Sequence, residues 1–278
     1  MRHEVYRMNN DCLLIEDKGS IAVLTINRPE KKNAFDELMF QKLEEAAGRL
    51  TARLPRVVII TGSGDSSFSA GFDVNPDNPM VKKIIDAAAE KDTEPAKELM
   101  DTIHNAVNSF VNLPVPVIAA MNGSAYGGGA ELAMRCDMRV IDPDAVICFS
   151  ETKLGLMPDW GGCSALSFLA GTARAAEMVL TARKVSADEA YTMGIVNKIS
   201  RKGCALEEAI DMANIIASNG PRAVRSSLAL IRGSRNLSYN ESLEMEKELA
   251  SSLVSSGECF HGVGAFLKKE APVFPDID

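Results

Sequence analysis

Three consecutive glycines, Gly127, Gly128 and Gly129, open a helix-forming stretch just behind the apolar run Val115 to Ala120. Each glycine inside a helix costs about 0.8–1.0 kcal/mol relative to alanine, so the run needs a reason. One reason is a tight turn with close strand-to-helix packing. The other is a ligand that must approach bare backbone, where unpaired N–H groups and the helix dipole meet an anion or a developing oxyanion. Three acids lie downstream. Glu131 sits in the first turn after the glycines, Glu151 directly follows the apolar run Val146 to Phe149, and Asp159 lies in Met157-Pro158-Asp159-Trp160-Gly161-Gly162. Alone, Glu131 is explained as an acid that complements the helix dipole, an effect of about 0.3–1 kcal/mol. The other two are explained as solvated loop residues, although a strand end is where catalytic groups are often presented.

Nucleotide motifs do not account for the glycines. A GxGxxG pattern started at Gly127 meets Leu132 where its last glycine belongs. Gly123 and Gly128 have P-loop spacing, but Gly129 and Ala130 stand in place of the Lys and Ser/Thr. An oxyanion site is the better reading, and its second donor is expected in the turn Phe68-Ser69-Ala70-Gly71-Phe72-Asp73. Paired carboxylates beside such a site suit one chemistry in particular, the addition or removal of protons at carbons next to a thioester. The hole holds the enolate, carboxylates tuned by burial act as acid and base, and no metal or redox cofactor is required.

Composition narrows the classes. At 278 residues with 46% hydrophobic content, the chain can bury a sizeable core. A net charge of −8 argues against a nucleic-acid binder, so a polyanionic ligand must be held by local positive charge. No apolar run reaches membrane-spanning length, and the start MRHEVYRMNNDC has no secretory apolar core, which leads to the expectation of a soluble cytoplasmic chain with no membrane partner. Cys12, Cys136, Cys148, Cys163, Cys204 and Cys259 form no CxxC pair and have no histidine at ligand spacing, so they read as reduced thiols and no metal site is expected. His3, His104 and His261 have no local motif for nucleophilic catalysis.

The elements that must position these groups are α/β in type. Strands are expected at Cys12 to Glu16 and Ile21 to Asn27, joined by the turn residues 17–20, and at Val57 to Ile60, Met138 to Ile141 and Val146 to Ser150. The stripe Met39, Leu43, Ala46, Leu50, Leu54 predicts an amphipathic helix ended by Pro55. Pro76 to Glu98 reads as a mobile, polar, proline-punctuated surface segment with one short helical patch. Helices are expected at 175–181, 186–193, 205–218, 221–232, 239–255 and 259–269. A strand-rich core over 1–200 and a helical region over 201–278 follow.

The motifs together resemble the crotonase family of enoyl-CoA hydratases and isomerases. The likeness rests on Asn27-Arg28-Pro29 with Lys32-Asn33-Ala34, Ser69-Ala70-Gly71-Phe72-Asp73, Pro116 to Gly123, Gly127 to Ala133 with Cys136-Asp137, Leu154-Gly155-Leu156 and Phe266 to Lys269, in that order. It implies a crotonase-like spiral of ββα repeats with a helical C-terminal region that covers the site and builds a homotrimer or homohexamer. It further implies an oxyanion hole from the N–H groups of Phe72 and Gly128, with Glu131 activating water and Glu151 protonating Cα. The acyl-CoA thioester would be held by Arg28, Lys32, Ala34, Ala70, Asp73, Trp160 and Lys269, with Lys269 reaching the nucleotide, and coenzyme A would be substrate rather than cofactor.

Asp159 departs from the simple hydratases, which often have glycine there, and is shared with dienoyl-CoA isomerases. Phe72 and Trp160 replace a common alanine; both read as core packing or as walls of the acyl pocket. Hydration of a 2-enoyl-CoA is the leading expectation. Isomerisation through Glu151 and Asp159 is the alternative, and hydrolysis of a cyclic acyl-CoA with Asp159 as nucleophile and a noncatalytic binding protein are the remaining readings.

Overall fold

Residues 5–7 and 12–277 are described in the computed structural model; His3 and most of the segment ahead of Cys12 lie outside them. The expected hairpin is present as strands β2 (Leu13–Asp17) and β3 (Ile21–Ile26), with β1 (Val5–Arg7) added to its edge. The strands that follow come in pairs whose members part company. β4 (Val57–Gly62), β6 (Val117–Met121) and β8 (Met138–Ile141) lie parallel in a seven-stranded sheet of order β1-β2-β3-β4-β6-β8-β11, closed by β11 (Lys198–Ile199). Their successors β5 (Ser67–Ser69), β7 (Ser124–Tyr126) and β9 (Val146–Cys148) lie parallel in a four-stranded sheet that ends in β10 (Val185–Ser186). Strand, strand, helix thus repeats as a spiral. The short strands β5 (Ser-Phe-Ser) and β7 (Ser-Ala-Tyr) escape the sequence reading because, unlike the equally short β9, they contain no apolar run.

The helices fill the space around the two sheets. α1 (Glu37–Ala52) starts where the Asp36 carboxylate accepts the Met39 N–H, and it buries the expected stripe, Met39, Leu43, Ala46 and Leu50, together with Phe40 and Ala47. The segment 76–98 corrects its expectation: it holds α2 (Pro79–Glu90) and the start of α3 (Glu94–Val111). Pro79 and Pro95 sit in the first helical turns, where the missing N–H costs nothing, so they begin helices instead of breaking them, while Pro76 lies in the turn ahead of α2. Leu99, Ile103, Ala106, Val107 and Phe110 then anchor α3 in the main core beside α1.

α4 (Gly128–Arg135), α5 (Gly162–Ala170), α6 (Thr172–Thr181) and α7 (Ala187–Thr192) complete the spiral. α8 (Ala205–Ala217) covers the other face of the large sheet, where Ala209 and Ala213 pack with Ile21, Val23, Val57, Ile59 and Ile118. α9 (Pro221–Gly233) is tied down by Arg232, whose guanidinium donates to both Asp137 carboxylate oxygens at 2.8 and 2.6 Å and to the Leu113 carbonyl. α10 (Tyr239–Ser255), opened by a Ser238–Glu241 capping box, and α11 (Cys259–Lys268) bury no residues within this chain. Among the described residues no helix is long and apolar enough to cross a membrane.

The Arg232–Asp137 pair is largely buried, so Arg232→Met should destabilise the protein by about 2 kcal/mol, because Asp137 loses its cation. Lys97→Met, which breaks a pair to Glu94 with more than half of each side chain exposed, should cost under about 1 kcal/mol. Urea midpoints at equal protein concentration check the contrast; equal shifts would rule out the anchoring role of Arg232.

Candidate active site

α4 is eight residues long, too short to persist alone, and two glycines open it. Contacts at both ends hold it in place. At its C-terminus the buried Arg139 donates to the carbonyls of Ala133 and Cys136 and, across to the β11 side, to Ile195, placing a cation where the helix dipole is negative. At its N-terminus the close approach of neighbours demands bare backbone: a Cβ on Gly128 would lie 2.4 Å from the Trp160 ring. The Gly128 N–H, at the first helical position, has no intrahelical acceptor.

The second expected donor lies beside the first. Residues 32–35 run alongside 69–73 through Ala70 N–H to the Lys32 carbonyl, Phe35 N–H to the Gly71 carbonyl and Asp73 N–H to the Phe35 carbonyl, all at 2.8–2.9 Å. This ladder uses the N–H groups of Ala70 and Asp73, the Gly71 N–H donates to the Ser69 hydroxyl, and the Phe72 N–H is left without a protein acceptor among the described residues. A Cβ on Gly71, whose φ is +82°, would fall 2.6 Å from the Gly128 nitrogen. The two glycine motifs are therefore packed backbone against backbone.

Glu131 is fully buried one turn into α4, and its carboxylate is gripped by the loop that carries Asp159. Oε1 accepts the Asp159 N–H at 3.0 Å, and Oε2 accepts the N–H groups of Trp160 and Gly162 at 2.9 and 2.8 Å. Gly162 comes so close that an added Cβ would lie 2.3 Å from the Glu131 Cα. Glu151 begins a one-turn 3-10 helix, Glu151–Leu154, after β9 and is buried as well. Among the described residues neither of its carboxyl oxygens has a donor; the Glu131 carboxyl is a hydrogen-bonding neighbour once one of the pair carries a proton.

Burial raises both carboxyls above the usual carboxylate range. The pair titrates as a unit. Burial pushes Glu131 up to about 8, but its three N–H donors stabilise the charged form and Glu151 has none, so the hydrogen bonding of the pair favours the shared proton on Glu151. Asp159 is also raised by burial, with His104 pulling in the opposite direction.

The remaining expected site residues divide. Ala34 and Ala70 lie in the paired segments that carry Phe72. Trp160 is packed edge-on against Phe35 and Phe40, with centroids 5.3 and 5.1 Å away, so core packing is the contact it makes. Arg28 faces Asp36 and Asp73, each at 3.1 Å, and donates to the Ala34 carbonyl at 2.7 Å, which commits its guanidinium to this loop junction and occupies Asp73 as well. Lys32 is exposed in a left-handed turn beside them. Lys269, exposed at the end of α11, makes no hydrogen bond or ion pair with the site among the described residues.

Two residues to which the sequence reading gives no role at the site hold the Asp159 loop from its other side. His104 on α3 donates from Nε2 to the Asp159 carbonyl at 2.5 Å. Arg135, at the end of α4, donates to the Trp160 carbonyl at 3.0 Å and to the Asn108 side chain at 2.7 Å. Both act on main-chain carbonyls remote in sequence, and no local motif announces such a contact. Among the described residues no cluster of His, Cys, Asp and Glu could hold a metal ion, and the six cysteines are free.

Comparison with known proteins places this geometry. Residues 16–277 match the family model described as enoyl-CoA hydratase/isomerase. A short-chain-enoyl-CoA hydratase of Clostridium acetobutylicum is 32% identical over 94% of this chain and 96% of its own length. The 2,3-dehydroadipyl-CoA hydratase of Escherichia coli is 32% identical over 94% and 98%. Among solved structures, an enoyl-CoA hydratase from Bacillus anthracis superposes with a TM-score of 0.85 at 30% identity, covering 95% of this chain and 98% of that one. With this fold, these paired glycine motifs and this match over nearly its whole length, the chain belongs to the enoyl-CoA hydratase/isomerase family.

Proposed function

We propose that the protein adds water across the double bond of a 2-enoyl-CoA. The observation that carries this reading is the buried Glu131–Glu151 pair beside two adjacent backbone N–H groups without protein acceptors. The thioester oxygen sits between the N–H groups of Phe72 and Gly128. Ionised Glu131 takes a proton from water as the water oxygen bonds to Cβ, and the double-bond electrons move onto the thioester as an enolate. Glu151 then gives its proton to Cα. Removing one oxyanion donor typically costs about 2.7–4 kcal/mol, so two preorganised donors supply a large share of the rate enhancement.

The wider assignments follow the same reading. Lys32 and Lys269 are the cations proposed for the coenzyme A phosphates, with Arg28 supporting the loop next to them, and no cofactor is needed beyond the coenzyme A of the substrate. The helical region 201–278 is read as a cover and assembly element of a homotrimer or homohexamer. Exposed apolar side chains on α10, α11 and the tail, among them Val254, Phe260, Phe266, Leu267 and Val273, support that reading, because a monomer rarely leaves so many uncovered together. Six unpaired thiols suit a reducing compartment, in keeping with a cytoplasmic location.

Isomerisation through Glu151 and Asp159 is the second reading, supported by Asp159 standing on the very loop that grips Glu131. Turnover in heavy-oxygen water separates the two: the hydratase reading expects label in the product, and a mass-neutral product with a moved double bond would replace it with the isomerase reading. Glu151→Gln should lower kcat by about 10²–10⁴-fold while acyl-CoA binding by calorimetry stays within a few-fold. Near-normal turnover of crotonyl-CoA by that variant would remove Glu151 from the mechanism.

The pH dependence follows from the shared proton. Activity needs one proton on the pair, so kcat/KM falls on the acid side when Glu131 takes up a second one. It falls on the alkaline side when Glu151 gives up the first, at a pH above the ordinary carboxylate range because burial raises the pair. A rate that stays level through the neutral and alkaline range would contradict a proton-donating Glu151.

A further inference from the structure

Behind the catalytic loop lies an open surface cleft. The N–H groups of Asp159 and Trp160 turn towards Glu131, while their carbonyls turn the opposite way, to His104 and Arg135. On that reverse side a cleft of about 340 Å³ opens between α3, the end of α4, α5 and the α9–α10 connection. Arg135, Arg235, His104, Asn108 and Asn236 line it together with Phe168, and no acidic residue is among its walls.

Two arginines at the end of α4 have only neutral oxygens as hydrogen-bond partners: Arg139, enclosed by main-chain carbonyls, and Arg135, which opens onto the cleft. Arg28, Arg183, Arg201 and Arg232 each face a carboxylate. Arg135 does not: it is more than half buried, and both of its side-chain hydrogen bonds go to neutral oxygens, the Trp160 carbonyl and the Asn108 amide. Arg235 has no ion pair among the described residues and stacks its guanidinium over the Phe168 ring, 5.7 Å from the centroid. Burial is the main cost of keeping Arg135 charged; Glu131, across the loop, attracts it, and the exposed Arg235 repels it more weakly. An oxyanion between them would offset both costs with charge-assisted, bidentate contacts.

We propose that this cleft is a binding site for a small anion bearing a carboxylate or phosphate group, held by Arg135 and Arg235 with His104, Asn108 and Asn236 as further hydrogen-bonding partners. The apolar ring of Phe168 leaves room for a short carbon skeleton beside the charge. Because Arg135 also holds the Trp160 carbonyl, the occupied cleft is one residue away from the donors of Glu131.

The chain's single tryptophan stands on the loop that Arg135 holds, so its emission follows changes in that loop. Succinate and inorganic phosphate are titrated at constant ionic strength against a chloride control, with calorimetry in parallel. The proposal expects saturable binding of at least one of the two anions, none of chloride, and a Kd at least tenfold weaker in Arg235→Glu. The same charge reversal at Arg222 on α9 should leave it unchanged. Absence of saturable binding by both methods, or an equal Kd in wild type and Arg235→Glu, overturns it; a thermal melt of each variant confirms folding.

The source of the anion is separated by a second comparison, between an enoyl-CoA whose chain ends in a carboxylate and one that ends in a methyl group. If Arg235→Glu raises KM only for the first, the cleft receives the far end of the substrate. If it raises neither while succinate or phosphate binding is lost, the ligand is a free anion. The titrations need no turnover, so their failure and a failure of the hydratase reading are told apart.

Discussion

The hydrogen bonds between the Glu131 carboxylate and the three loop N–H groups are the contact on which the rest of the site depends. They bury an acid by giving it backbone donors in place of water, which is the condition under which a carboxylate can be carried into a core. They also pin Trp160 against Gly128 and fix where Asp159 stands. The requirement propagates as close contact: Gly162 against the Glu131 backbone and Gly128 under the indole ring leave no space for a side chain at either position. Glu151, arriving from another strand pair, is then left without donors beside it. Two chemically identical side chains acquire different proton affinities from their neighbours alone.

The repeat of the fold is what brings these pieces together. Each unit sends its first strand to the large sheet and its second to the small one, so the connections that leave β5 and β7 emerge side by side, in register at Ser67 with Ser124 and Ser69 with Ala125. The first connection carries Phe72 and the second carries Gly128. β9, next in the same sheet, delivers Glu151. Donors and acids are thus presented by successive turns of one spiral, and Arg139 supplies at the far end of α4 the stabilisation that its glycine-rich start withholds.

Much of this was legible in the sequence, for a physical reason. Close backbone approach and buried charge restrict residue choice to glycine and to acids, so Gly127 to Gly129, Gly71, Glu131 and Glu151 stand out. Long amphipathic stripes, as in α1, were legible for the same kind of reason. Contacts that use only main-chain carbonyls leave no such trace. His104 and Arg135 hold the loop by its carbonyls from positions 55 and 25 residues away, and many side chains could do so. Arg28 carries a family motif, yet its charge is committed to Asp36 and Asp73, a pairing that only the folded chain reveals. The prolines of 76–98 were ambiguous because the residue that breaks a helix interior also favours a helix start.

The central claim is that the thioester oxygen is bound by the two backbone N–H groups at the junction of these motifs. The most direct measurement is isotope-edited infrared spectroscopy of a saturated acyl-CoA carrying a ¹³C-labelled thioester carbonyl. With the oxygen held by Phe72 and Gly128, the bound carbonyl stretch must move to lower frequency than that of the free thioester, because two donors polarise the C=O bond. A bound ligand whose carbonyl band stays at the free position would contradict the account.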